Sequence, residues 1–167
     1  MKVVMLDIDG VLCTPESMKM GYVRVQDRPL HKFQRSCVAA LNRLTDESGA
    51  VLVISSTWRH FGQSILEEHF KKEGITGKIV GITPNGIERR TASRAIIISV
   101  ERGLEIQDWL DKNQGVESFV IIDDSSDMAH LMHKLVQTKW QDPDGDKSKE
   151  GLTEAKVDEA LEMLRGK

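Results

Sequence analysis

Two aspartates close to the amino terminus, Asp7 and Asp9, have the types and spacing that could do chemistry. They follow an apolar run at residues 3–5 and precede Gly10, so a buried strand would end there in a turn. Residues i and i+2 of a strand share a face, which predicts that both carboxylates project together. Such a pair binds a hard cation such as Mg²⁺ or divides nucleophilic and acid/base roles, unless it is simply a polar strand end.

A second acidic group follows another apolar run, at residues 119–122. This group contains Asp123, Asp124 and Asp127. In a parallel sheet the carboxyl ends of both strands lie at one edge, so the two groups would meet there. Carboxylates gathered at one edge repel one another, and a bound metal ion is the usual resolution. The pattern therefore predicts a cation site between the two strand ends.

A third strand end lies between these two, where the apolar run at residues 50–54 leads into Ser55 and Ser56. Hydroxyl groups beside the free N–H groups of a helix start form a natural cradle for phosphate. A plain helix N-cap is the alternative for either serine. Trp58 and Arg59 follow, and they could stack on a base and hold a phosphate, although packing is the simpler interpretation for the tryptophan.

Strand and helix patterns alternate along the chain, which predicts a three-layer, Rossmann-like α/β fold with a parallel sheet and helices on both faces. A single domain is expected over residues 1–167, without a separate cap domain. Segment 11–30 is interpreted as an irregular flap, 83–94 as a loop and 95–98 as either a strand or the lead-in to a helix. Strands are predicted at about 3–8, 50–54, 78–82, 117–122 and 135–138. Two helices are predicted at about 31–47 and 61–73. A third helix is predicted to end near 113, and two more to begin near 126 and near 153.

Composition indicates an ordinary globular protein, since 40% of the 167 residues are hydrophobic and 29% are charged. The sequence contains no run long enough to span a membrane, and its start resembles a strand more than a signal peptide, so a cytoplasmic location is expected. Cys13 and Cys37 provide no disulfide framework or zinc pattern. A net charge of −3 argues against broad nonspecific binding of nucleic acid but allows contacts to one phosphorylated end.

The ordered combination of these motifs resembles the haloacid dehalogenase-like (HAD) superfamily of phosphohydrolases. The resemblance rests on DIDGV at residues 7–11, VISS at 53–56, and IIDD at 121–124 with the later Asp127. The superfamily also has a basic residue on a helix between the second and fourth motifs. Arg102 is the candidate for that position here, with Arg94 as the alternative.

The resemblance implies a phosphatase mechanism in which Asp7 is the nucleophile and forms an aspartyl-phosphate. It implies that Asp9 is the general acid and base, with its backbone carbonyl facing the metal. Halide departure needs no proton, so the presence of Asp9 favours hydrolysis of phosphate esters over dehalogenation. Ser55 would hold the phosphoryl group, with Ser56 as a rival.

Mg²⁺ is the cofactor that the resemblance implies. Its expected ligands are Asp7, Asp9 and Asp123, and Asp124 or Asp127 would ligate it or orient bound water. The expected substrate-binding residues are Ser56, Trp58, Arg59 and Arg94.

The segments ISSTWR at 54–59, RGLEIQDWL at 102–110 and IIDDSSDM at 121–128 resemble the small HAD domains of nucleic-acid end-repair phosphatases. The absence of a predicted cap implies an open site, which suits a large substrate such as a polynucleotide end. Two alternatives stay open: a HAD-fold binding module whose catalysis has lapsed, and a phosphotransferase that passes phosphate to an alcohol.

Overall fold

The computed structural model describes residues 1–166, which form a five-stranded parallel sheet with helices on both faces. The strands are β1 (Lys2–Leu6), β2 (Tyr22–Val25), β3 (Arg28–His31), β4 (Val51–Ile54), β5 (Ile79–Ile82), β6 (Ile87–Arg90), β7 (Ala95–Ile98), β8 (Ser118–Asp123) and β9 (Leu135–Gln137). The α-helices are α1 (Pro15–Met18), α2 (Arg35–Ser48), α3 (Gln63–Lys72), α4 (Arg102–Lys112) and α5 (Glu154–Arg165). Three 3₁₀ helices cover Thr57–Phe61, Ala129–Lys134 and Lys147–Lys149.

The sheet has the order β5–β4–β1–β8–β9, with β1 at its centre. Residues 3–6 of β1 are fully buried because helices cover both faces of the sheet, which explains why this strand is apolar throughout. Leu6 lies opposite Ile54 of β4 and Ile122 of β8. The residues that follow these three positions therefore emerge at the same level of the carboxyl edge.

Two hydrophobic cores flank the sheet. Val4 and Leu6 belong to the core that includes α2, α3 and α5, whereas Val3 and Met5 belong to the core that includes Ile106 of α4. Alternate residues of β1 thus serve opposite faces, as strand geometry requires. This arrangement confirms the predicted three-layer α/β fold with helices on both sides.

The predicted flap at 11–30 contains more regular structure than expected. Thr14 caps the short helix α1, and β2 pairs with β3 as an antiparallel hairpin. The hairpin turns at Gln26 and Asp27, both of which have positive φ. Because β3 extends to His31, the helix predicted from 31 begins only at Arg35.

Two further predictions differ from the structure. Residues 87–90 were predicted to lie in a loop but form strand β6, which pairs antiparallel with β7. The segment 95–98, predicted as either a strand or a helix lead-in, is therefore a strand. The α-helix predicted from about 126 is absent from the described residues 1–166, and the 3₁₀ helix Ala129–Lys134 stands there. The other predicted elements agree with the structure to within about two residues.

The insertions on either side of the carboxyl edge are these two short hairpins, so residues 1–166 contain no separate cap. Within the same residues, the helices are too short or too polar to cross a membrane.

Candidate active site

Asp7 and Asp123 face each other at the carboxyl edge of the sheet. Asp7 follows β1, Asp123 ends β8, and the backbone N–H of Asp7 donates to the carbonyl of Ile122 at 3.0 Å. Both side chains are almost fully buried, with whole-residue exposures of 5% and 0%. Together with Asp124 they offer carboxylate oxygens that all lie within 4.8 Å of one another. Such a cluster of hard oxygen donors fits a divalent cation.

Arg102, at the first turn of α4, contacts both buried carboxylates. Its Nη1 lies 2.6 Å from Oδ2 of Asp123 and 3.3 Å from Oδ2 of Asp7. Burial raises the pKa of Asp7 to about 8 and the neighbouring Asp123 adds to this rise, while Arg102 opposes it. Burial likewise raises the pKa of Asp123, again against the effect of Arg102. One guanidinium does not compensate two buried carboxylates and Asp124, so the site favours additional positive charge.

Gly10 makes room for Asp124 in this cluster. A Cβ atom at residue 10 would clash with the carboxylate of Asp124, and the glycine has a φ of +80°. Both the close approach and the left-handed backbone require glycine. The turn after β1 is therefore shaped to bring the second acidic segment against the first.

Asp9 turns away from the carboxylate cluster. Strand β1 ends at Leu6, earlier than predicted, so the strand rule that would align Asp7 with Asp9 does not apply. The indole Nε1–H of Trp58 donates to Oδ2 of Asp9 at 3.2 Å. Burial raises the pKa of Asp9, and this hydrogen bond opposes the rise. The side chain of Asp9 therefore lies outside the three-carboxylate group and is held by Trp58.

Ser55 and Ser56 have different surroundings after β4. The Oγ of Ser55 is buried and has no hydrogen-bond partner among residues 1–166, whereas the Oγ of Ser56 accepts the N–H of Trp58 and hydrogen-bonds Asp7. A buried hydroxyl without a partner is costly unless a ligand or water completes it. This favours Ser55 over Ser56 as the group that holds a phosphoryl oxygen, and it gives Ser56 the N-cap role that the sequence left open.

Asp127 hydrogen-bonds the start of α4 and is not part of the carboxylate cluster. Its Oδ2 accepts the backbone N–H of Arg102 at 3.4 Å, and its carbonyl accepts the N–H of Gly103 at 3.1 Å. Ser125 donates to its other carboxylate oxygen at 2.7 Å. The residue predicted to ligate the metal or orient its water is thus placed where it orients the helix that carries Arg102.

Arg59 and Trp58 are built into the protein framework. Nη1 of Arg59 lies 3.0 Å from Oε2 of Glu105, and the two side chains are only 11% and 6% exposed. The side chain of Trp58 is buried against Phe33 and His69, so packing describes it better than base stacking. Arg94 is exposed in the turn between β6 and β7, and only Arg102 contacts the buried aspartates among the described residues.

Sequence reasoning missed Gly103 and Glu105 as contributors to the site. A Cβ atom at residue 103 would clash with the carbonyl oxygen of Met128, so glycine alone lets α4 approach the loop after β8. The carboxylate of Glu105 accepts the N–H of Gly86 at 2.7 Å besides pairing with Arg59. A glycine directly after the candidate basic residue was the only local signal for this close packing.

Gly103→Ala is expected to lower kcat for the reaction at this site about 100-fold, because a shift of about 1 Å in Arg102 would misplace its guanidinium relative to Asp7 and Asp123. The clash is with backbone, so α4 or the loop at Met128 must move. Steady-state kinetics together with circular dichroism would measure the effect. Asp111→Ala, an exposed change on the same helix, is the matched control, and equal kcat values for both variants would contradict the prediction.

An α/β fold that brings two buried aspartates and an arginine into contact at the carboxyl edge of its parallel sheet is typical of enzymes of phosphoryl transfer. The chain belongs to the HAD superfamily, because the family described as the HAD domain in Swiss Army Knife RNA repair proteins matches residues 3–157. This confirms the resemblance stated from the motifs. With the superfamily come the enzyme class that the motifs predicted, a phosphatase, and its cofactor, Mg²⁺.

Among solved structures, the chain is similar to one described as the crystal structure of 3-deoxy-D-manno-octulosonate 8-phosphate phosphatase from Moraxella catarrhalis in complex with magnesium ion, phosphate ion and KDO molecule, which is one of two matching chains. The two share 17% sequence identity with a TM-score of 0.47, and the match covers 99% of this chain and 85% of the other. A likeness at this level supports no inference about the substrate. No curated protein sequence matches the chain.

Proposed function

We propose that this protein hydrolyses phosphate monoesters through an aspartyl-phosphate on Asp7, and that its substrate is the phosphorylated end of an RNA strand. The observation that supports the reaction most strongly is the contact between Asp7 and Arg102, whose Nη1 lies 3.3 Å from Oδ2 of Asp7 at the carboxyl edge of the sheet. The neighbouring strand β4 ends at the same level, directly before Ser55, so a nucleophile, a cation and a hydroxyl-bearing strand end are available to a transferring phosphoryl group.

Asp7, Asp123 and Asp124 would hold Mg²⁺, since their oxygens cluster and Arg102 balances only part of their charge. Bound there, the ion supplies positive charge that offsets the developing charge on the phosphoryl oxygens. Arg102, at the start of α4, contributes a second positive charge to the site. Arg102 also lowers the pKa of Asp7 against the effects of burial and Asp123, and a bound cation would act in the same direction to favour the ionised, nucleophilic form.

In the first step a carboxylate oxygen of Asp7 attacks phosphorus, and the bond from phosphorus to the ester oxygen breaks. Asp9 gives its proton to that leaving oxygen, which becomes the hydroxyl of the alcohol product. In the second step Asp9 takes a proton from water, which attacks phosphorus and releases inorganic phosphate and free Asp7. The hydrogen bond from Trp58 holds the Asp9 carboxyl in one orientation through both proton transfers.

Two observations favour an RNA end as the substrate. The matching family is described as a domain of RNA repair proteins. The carboxyl edge is flanked by two short hairpins and no separate cap within residues 1–166, so no additional folded domain stands between a long polymer and the strand end that carries Asp7. A large substrate suits an open site better than a small metabolite does.

The direct test is Mg²⁺-dependent phosphate release from p-nitrophenyl phosphate and from a 3′-phosphorylated oligoribonucleotide, each with an EDTA control. We expect release from both, with a higher kcat/KM for the RNA. Absence of any release from either would contradict the proposal and favour a lapsed binding module. Transfer of the phosphate to an added alcohol in preference to water would identify a phosphotransferase instead.

A further inference from the structure

The antiparallel pair β6–β7, which we call the basic hairpin (residues 87–98), lies outside the central sheet and has no role in the proposed reaction. It carries Arg89, Arg90 and Arg94 against the single acidic residue Glu88, in a chain whose net charge is −3. Positive charge is therefore concentrated in a segment of an otherwise acidic protein. Such local charge is the usual footprint of a surface that binds a polyanion.

The arginines of the basic hairpin are presented to solvent. The pairs Glu88–Ile97 and Arg90–Ala95 share one face, and every residue on it is exposed, with Ile97 at 67%. Arg90 has a carboxylate neighbour only at 3.9 Å, in Glu88, and both side chains are exposed, so this pair holds it weakly.

The turn of the basic hairpin is ordered by its own hydrogen bonds. The backbone N–H and the hydroxyl of Thr91 both donate to the carbonyl of Arg94 at 2.8 Å. The N–H of Arg94 donates back to the Thr91 hydroxyl at 3.2 Å. An ordered tip presents its arginines at a lower entropic cost than a mobile loop would.

The base of the basic hairpin is fixed to the helix that carries Arg102. Gly86, directly before β6, donates its N–H to Glu105 of α4, and Arg59 pairs with the same carboxylate. Glu105 lies three residues after Arg102, and residues at this spacing share one helix face. One helical turn of α4 thus carries both Arg102 and the carboxylate that binds the base of the basic hairpin.

We infer that the basic hairpin binds the sugar-phosphate backbone of the RNA strand whose terminal phosphate enters the site; this inference rests on the proposed function. The tip lies four residues from the base, or about 13 Å in an extended strand. Arg90 and Arg94 therefore contact phosphates a few nucleotides from the end, and the exposed Ile97 offers an apolar surface to a base. An RNA strand is favoured over an acidic protein or a membrane because the hairpin adjoins a site that receives a terminal phosphate.

Binding of a fluorescent 3′-phosphorylated oligoribonucleotide, followed by anisotropy, tests this surface directly. The measurement uses Asp7→Asn protein, which leaves the RNA uncleaved, with and without the added changes Arg90→Gln and Arg94→Gln. We expect Kd to rise about 10-fold, and the slope of log Kd against log salt to fall by about 1.4, since each single-strand phosphate contact contributes about 0.7. The control variant combines Lys71→Gln near the end of α3 with Lys78→Gln directly before β5, both at the amino edge of the sheet. It removes the same charge and is expected to leave Kd unchanged.

A second readout separates this inference from the proposed function. In protein that retains Asp7, the ratio of kcat/KM for RNA to kcat/KM for p-nitrophenyl phosphate is expected to fall about 10-fold when both arginines are changed. Equal RNA affinity in the hairpin variant and the lysine control would overturn the inference, whatever the activity. Affinity for anionic vesicles that depends on the arginines while RNA affinity does not would overturn it too. Failure of every variant to cleave either substrate would overturn the proposed function, while the anisotropy result still decides the hairpin.

Discussion

Asp7→Asn is expected to reduce phosphate release by at least about 10⁴-fold, because an amide cannot act as the nucleophile. The same change is expected to leave the fold intact and to raise thermal stability in EDTA. Asp7 is buried against Asp123, and the repulsion between them raises the pKa of Asp7 together with burial. A neutral side chain of the same shape removes this repulsion. Kinetics with p-nitrophenyl phosphate and thermal melts in EDTA measure the two effects.

Asp127→Asn is the matched control for this prediction. It is the same chemical change in the neighbouring acidic segment, but the amide oxygen of asparagine still accepts the N–H of Arg102. We expect this variant to keep turnover within about 10-fold of wild type. Equal losses in the two variants would mean that the buried aspartate acts only through helix α4. Trapping a phosphorylated peptide that contains Asp7 would support the nucleophile assignment independently.

The main elements of the site could be predicted because they depend on local patterns. Each apolar run ends in a polar residue, and parallel strands place their carboxyl ends at one edge. Asp7, Ser55 and Asp123 therefore had to meet once the three strands were recognised, and the aligned register of β1 with β4 and β8 places them together.

The contacts that orient the site could not be predicted because they join residues far apart in the sequence. Trp58 donates to Asp9 across 49 positions, and Gly103 packs on Met128 where two segments cross. Arg59 gave a phosphate-binding signal from its neighbours, yet its partner Glu105 lies on another element. A basic residue after a serine motif can contact a ligand or form a buried ion pair. Only the tertiary structure, which places Glu105 against Arg59, shows which of the two applies.

The hairpins were missed for a related reason. The arginines and the Pro84-Asn85-Gly86 turn of the segment before β7 indicated a loop, and the isoleucines of β7 fitted either a strand or a helix lead-in. In β6 only Ile87 is partly buried and the next three residues are exposed, and β7 is apolar throughout, so neither strand of this pair shows the apolar–polar alternation that identifies a half-buried strand.

Arg102→Gln is expected to lower kcat for p-nitrophenyl phosphate about 10²- to 10³-fold, as the loss of a charge-stabilising donor does in other enzymes. Its guanidinium contacts both Asp7 and Asp123, whereas Arg94 contacts neither. Arg94→Gln is therefore the comparison that decides between the two candidates for the third motif. The loss in kcat is expected to be at least about 10-fold smaller for Arg94→Gln than for Arg102→Gln.

Stability provides a second measure of the same arginine. Without Arg102, the buried Asp123 loses its only cationic partner within residues 1–166, and breaking a buried ion pair costs about 3 kcal/mol. We expect Arg102→Gln to lower the free energy of unfolding in EDTA by that order, and by less in Mg²⁺, because the cation then compensates the carboxylates. A stability loss that is the same in EDTA and in Mg²⁺ would show that Arg102 and the metal do not serve the same carboxylates. The charge-balance argument for a cation at this site would then be wrong, even if kcat falls as expected.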